Sequence, residues 1–242
     1  MKPILFNTEM VRAIMNKDKD TTRRNIKNAE ILIHDNYVNI YGLDRSGNRR
    51  ENDVCGFPYT TQEKISEYMC KVYAPYKVGD ILYVRETWLQ LDDDYKVVSG
   101  KLDKDNMGKN IIFKADKESE KRVAEIKAKW RPSIHMPQKV AKRFSRVTSI
   151  KCERLLEITE EKAIAEGCPG VKFDNNEKKY PDINCFNVRW IIPPQSQFLE
   201  LWNSTISKAD YDRYGWEANP WVWVLGFEPI SKEEAYNLDK AA

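Results

Sequence analysis

The chain reads as an α+β protein. Helix-like and strand-like segments are mixed without the regular strand–helix–strand beat of a doubly wound sheet. Neither G-x-G-x-x-G nor G-x-x-x-x-G-K-[ST] occurs, so dinucleotide and P-loop binding are not supported and no cofactor is expected. The 242 residues suit one domain, 1–242. A chain of this length buries roughly 70% of its unfolded surface and needs no covalent staples.

Each element has a local reason. Ile4-Leu5-Phe6 is a short apolar run. Thr8 is the expected cap of a helix whose Met10, Val11, Ile14 and Met15 recur at helical spacing. A charged turn follows through Lys17, Lys19 and Thr21-Thr22-Arg23-Arg24. Ile31, Ile33, Val38 and Ile40 flank Asp35-Asn36 and predict a hairpin. Thr60 with Glu63 forms a capping-box pattern for a helix over 60–73 with Ile65, Tyr68, Met69 and Val72 as its stripe, stopped by Pro75.

Val78-Gly79-Asp80 turns into a β-rich stretch ending at Trp88. Residues 90–129 are polar and read as an insertion, with strands at Tyr95 to Val98 and Ile111 to Lys114 and then a charged helix. Two prolines make 130–137 irregular, and Pro137 is expected to open a helix to about Phe144. A strand is expected from Val147 to Leu155. Thr159-Glu160-Glu161 opens a short helix that Gly167 closes. Residues 170–195 read as a second insertion, Phe198, Leu201 and Trp202 mark a helix, and Trp221 to Phe227 is strand.

Charge excludes some partners. Forty basic residues face 37 acidic ones, a net +3, which is not the bulk charge of a duplex-coating protein. A local basic run exists, with Lys17, Lys19, Arg23, Arg24 and Lys27 inside eleven residues. The five cysteines form no C-x-x-C and there are two histidines, so a structural zinc site is not expected and reduced thiols are. No signal peptide and no run of 18 apolar residues is seen, which predicts a cytoplasmic protein away from membranes.

Several segments in order resemble ASCH-domain proteins of the phage and prophage type. They are Lys2 to Asn7, Lys19 to Arg24, Val78 to Trp88, Trp130-Arg131-Pro132-Ser133-Ile134-His135-Met136-Pro137, Ile158 to Gly167 and Gly215 to Val224. The resemblance implies a PUA-like small β-barrel flanked by helices, with a cleft between them. The family signature, roughly G-x-K-x-x-E/T-x-R, falls on Lys17, Lys19, Thr22 and Arg24, with Lys17 in place of the glycine. Small members that hydrolyse N4-acetylcytidine use a lysine, a threonine three residues on and a glutamate on a later short helix. Lys19, Thr22 and Glu166 match that trio as catalytic residues.

A threonine hydroxyl needs a base, and a lysine serves as one only when its pKa is lowered by burial or nearby cations. Lys17, Arg23 and Arg24 supply such cations, and Glu166 can orient the lysine or move a proton. The same residues also make a binding site without chemistry. Lys19 and Arg24 then hold a phosphate, Thr22 donates a hydrogen bond and Glu166 accepts one from a base. Arg85 and Glu86 either line the cleft or form an ion pair. Ser133 and His135 sit in the Pro-bounded loop as ligand contacts or packing, Trp88 and Trp130 are the stacking candidates, and Trp221 and Trp223 read as core. The expected partner is a nucleotide, modified nucleoside or RNA. The alternatives are a hydrolase of N-acylated nucleosides or a ribonuclease, and an interaction protein that counters host defence or sequesters a signalling nucleotide.

Overall fold

A computed structural model describes residues 1–35, 37–58, 61–91, 110–125, 127–172 and 190–241. In chain order the elements are β1 (Lys2–Leu5), α1 (Thr8–Met15), β2 (Thr21–Asn25), β3 (Ala29–Ile33), β4 (Tyr37–Leu43), β5 (Arg49–Pro58), α2 (Gln62–Val72), β6 (Ile81–Arg85), β7 (Trp88–Gln90) and β8 (Ile111–Phe113). They continue as α3 (Lys117–Glu125), β9 (Phe144–Arg154), α4 (Glu160–Ala165), β10 (Val171–Lys172), β11 (Trp190–Ile192), α5 (Pro194–Ser204), α6 (Tyr211–Tyr214), β12 (Trp221–Ile230) and α7 (Lys232–Ala241). The class is mixed α and β, as the sequence predicts. None of the sheets among the described residues closes on itself, so the architecture is several open sheets rather than a closed barrel.

Two compact units are present, one from Met1–Asp20, Lys77–Thr148 and Phe227–Ala242, the other from Thr21–Tyr76 and Ser149–Gly226. In the first, β1 lies parallel to β6 from Lys2 opposite Leu82 to Leu5 opposite Arg85. The opening of β9 runs antiparallel to β6, with Phe144 opposite Tyr83. That ladder claims Phe144 for a strand. The helix expected from Pro137 is therefore only a 3-10 turn at Gln138–Val140. Ile81, Trp88, Phe113, Met136 and Phe144 form the main core, and Val123 of α3 packs with Leu89 and Leu91. Tyr95 to Val98 lie outside the described residues.

In the second unit β3, β4 and β5 form an antiparallel sheet, with Ile31 opposite Ile40 and Ile33 opposite Val38 as the hairpin pattern requires. Asn36 of the expected turn lies outside the described residues. The third strand, β5, has few apolar residues to announce it. Residues Trp221 to Gly226 of β12 pair antiparallel with β2. Alternation along β12 feeds two cores. Trp221 and Trp223 pack with Val38, Ile40, Ile65 and Met69, while Val222 packs with Leu155, Ala163, Phe198 and Trp202.

Helix starts obey capping chemistry, with small shifts. Asn7 rather than Thr8 caps α1, its side chain accepting from the Met10 amide at 2.8 Å. Thr61 caps α2 by accepting from Lys64, and Thr60 lies outside the described residues. Thr159 caps α4 as predicted, and Gly167, with φ of 84°, follows Glu166 at its end. Cys55, Cys70 and Cys152 are free thiols, Cys168 is buried, and Cys185 lies outside the described residues. No helix among the described residues is long and apolar enough to cross a membrane.

Candidate functional site

The segment Lys19 to Arg24 is not a turn. Its second half is the strand β2, drawn into a ladder by β12. Thr22 lies opposite Leu225, Arg23 opposite Val224 and Arg24 opposite Trp223. Successive side chains of a strand alternate between faces, so Thr22 and Arg24 share the Trp223 face while Arg23 takes the Val224 face.

The Arg23 face is an ion-pair cluster. Arg23 Nη1 donates to Glu166 Oε1 at 3.0 Å and its Nη2 to Glu153 Oε1 at 2.5 Å. Lys162 Nζ donates to Glu153 Oε2 at 2.9 Å. The guanidinium carbon stands 5.8 Å from the Phe198 ring centre. Arg23 and Glu166 are 3% and 2% exposed, so each neutralises the other away from water. The Thr22 side of β2 differs. Thr22 is fully buried, and its hydroxyl oxygen accepts from Arg24 Nη1 at 2.7 Å, while the same nitrogen donates to the Arg23 carbonyl at 3.0 Å. Burial pulls the Arg24 pKa down, against the opposing pull of the Glu166 carboxylate. The structure thus joins Thr22 to Arg24 and Glu166 to Arg23, and strand alternation sets Thr22 and Arg23 on opposite faces of β2. Chemically, Thr22 orients a guanidinium and Glu166 holds Arg23 in place.

Arg24 lines a cavity of about 490 Å³ within the second unit. Lys27, Arg45 and Arg50 line it as well, with Asp44, Asn25, Asn28, Leu43, Pro75, Tyr76 and Trp223 completing the wall. Four cations thus stand against one carboxylate. The two Asp44 oxygens are drawn into their own turn. Oδ1 accepts from the amides of Ser46 at 2.8 Å and Asn48 at 2.9 Å, and the Asn48 amide bond is the main cause holding the Asp44 pKa below the usual value. That turn carries Arg45 at its tip. Arg45, Arg50, Asn25 and Tyr76 escaped the sequence reading. Asp44 and Gly47 signal the turn, but only the β4–β5 pairing brings it beside β2.

The other expected site residues belong to the first unit. Lys19 is 1% exposed, with its ammonium 5.8 Å from the Phe6 ring centre. Lys17 is exposed, and its backbone takes φ of 65° at the end of α1. The partner of Glu86 is Arg143, while Arg85 donates to the Ile134 carbonyl. Trp88 is 1% exposed and belongs to the core, with Arg131 over its ring at 5.2 Å, so its faces do not offer a stacking platform. Trp130 packs half-buried against Leu89, Leu91 and Val123. Ser133 and His135 bound a 3-10 turn in which His135 is exposed.

Comparison with known proteins yields no match: no family model, no curated protein and no solved structure corresponds to the chain.

Proposed function

We propose that the chain is a cytoplasmic, phage-type ASCH protein with a PUA-like ancestry, and that it binds a nucleotide, modified nucleoside or RNA. The observation that carries this reading is the cavity of about 490 Å³ lined by Arg24, Lys27, Arg45 and Arg50, with the half-buried Tyr76 in its wall. Its size falls in the range of roughly 300–1,000 Å³ typical of small-molecule sites. Guanidinium forks match phosphate oxygens, and aromatic rings match bases. The family resemblance gains support from Lys17. Its φ of 65° is the conformation a glycine adopts freely, at the position where the family signature carries glycine.

Binding is preferred over hydrolysis because Thr22 is buried with its hydroxyl engaged by Arg24, and Glu166 is engaged by Arg23. Calorimetric titration of the full chain with nucleosides, nucleotides and short RNA tests the reading. Saturable binding at low salt is expected, weakened at least about tenfold in the Arg45→Ala/Arg50→Ala double variant, since each charge-assisted hydrogen bond contributes about 1.5–3 kcal/mol. Absence of saturable binding at low salt, or indifference to those substitutions, would sink it. Release of cytidine from N4-acetylcytidine, or cleavage of RNA, lost in Lys19→Ala and Thr22→Ala, would favour the enzyme reading.

A further inference from the structure

We infer that the ligand of this cavity is a single nucleotide carrying two or more linked phosphates, a nucleoside di- or triphosphate, rather than a nucleoside or a monophosphate. The inference rests on the binding reading above and narrows it. Its ground is the number and placement of the cations. Arg24 lies on β2, Lys27 just past it, Arg45 at the tip of the β4–β5 turn and Arg50 near the start of β5. They surround one cavity instead of forming a stripe along a surface, which is the pattern of a compact polyanion and not of an extended strand.

A neutral nucleoside adds no counter-charge to these four cations beyond Asp44 in the wall and the Asp53 carboxylate that Arg50 reaches at 3.4 Å. A single phosphate engages one or two guanidiniums through its few oxygens and leaves the others facing like charge. Linked phosphates spread their oxygens over several ångströms and reach cations on separate elements. The nearby carboxylates are already engaged. Asp44 binds its own turn, and Asp53 accepts from Arg50 at 3.4 Å and from the Tyr73 hydroxyl at 2.6 Å. The cation set also divides in two. Arg24 is half-buried and oriented by Thr22, which suits it to the phosphate nearest the sugar. Lys27, Arg45 and Arg50 are exposed at the rim, which suits them to the terminal phosphates.

Titration of the full chain with adenosine, AMP, ADP and ATP, and with the cytidine series in parallel, tests this division. Affinity is expected to rise by about tenfold or more from mono- to di- or triphosphate, the gain that added phosphate contacts bring. The Arg45→Ala/Arg50→Ala double variant is expected to lose that gain, so that di- and triphosphates bind it no more tightly than monophosphates do. Both side chains are exposed, so the variant leaves the core intact, and Lys27→Ala gives an independent reading of the same rim. Nucleosides or monophosphates that bind as tightly as triphosphates would overturn the inference and leave the binding reading standing. Short RNA that binds while free nucleotides do not would overturn it as well. No binding by any of these probes removes both.

Discussion

Glu86 shows how far a side chain can be moved by its surroundings. Its carboxyl is 1% exposed, one oxygen accepts from Arg143, and the other is buried without a hydrogen-bond partner. Loss of water favours the neutral acid, and Asp116 adds to that, while Arg143 and Lys142 oppose it. Burial wins, and the pKa is pushed up to about 7. A carboxyl whose folded pKa is raised stabilises the fold fully below its unfolded value, near 4.5. That contribution is lost as pH rises through 7. The difference amounts to something on the order of 3 kcal/mol. Urea unfolding at pH 5 and pH 8 should therefore show wild type losing more stability than Glu86→Gln over that interval. Equal losses would show that Glu86 does not carry the effect. Residue identity alone pointed to Glu86 but not to Arg143 as its partner, because 57 positions separate them in the chain.

At the scale of elements, helices were legible and several strands were not. Caps and apolar stripes are local, so α1, α2 and α4 appear in the sequence within a residue or two and Phe198, Leu201 and Trp202 mark α5, while α6 and α7 go unread. The strand β2 reads Thr-Thr-Arg-Arg-Asn and has no apolar pattern. It is a strand because β12 supplies the ladder, a tertiary effect that no local window contains. The same is true of β5. The end of α1 carries a visible local misfit. Lys17 holds φ of 65° there, with its amide donating to the Ile14 carbonyl at 3.1 Å. An L side chain in that region costs roughly 1–2 kcal/mol, part of which glycine gives back through its greater unfolded-state freedom. Lys17→Gly is expected to raise unfolding stability by about 0.5–1 kcal/mol in denaturant titrations, a gain small enough to need replicate curves. A loss of stability instead would mean that the lysine side chain contributes more than its backbone costs.

Across the whole chain, charge and connectivity explain why the site was only half visible. Each unit is assembled from separated stretches, with boundaries inside β9 and β12, so no continuous segment contains either unit. Arg24 and Lys27 stood out as part of a run, but Arg45 and Arg50 join them only through the pairing of β4 with β5. The run itself divides, since Arg23 is spent on Glu153 and Glu166 while Lys17 and Lys19 belong to the first unit. With a net charge of only +3, long-range attraction is weak, and the salt response of binding should count the cavity cations and little else. For single-stranded RNA the slope of log K against log salt is about −0.7 per phosphate neutralised, so four cations set a limit near −3 for a short RNA probe. Measured between low and moderate salt, Arg50→Ala should make that slope shallower by something under one, while Lys17→Ala should leave it unchanged. A steeper slope, or one that responds equally to Lys17, would place the binding surface along the basic run instead of around the cavity.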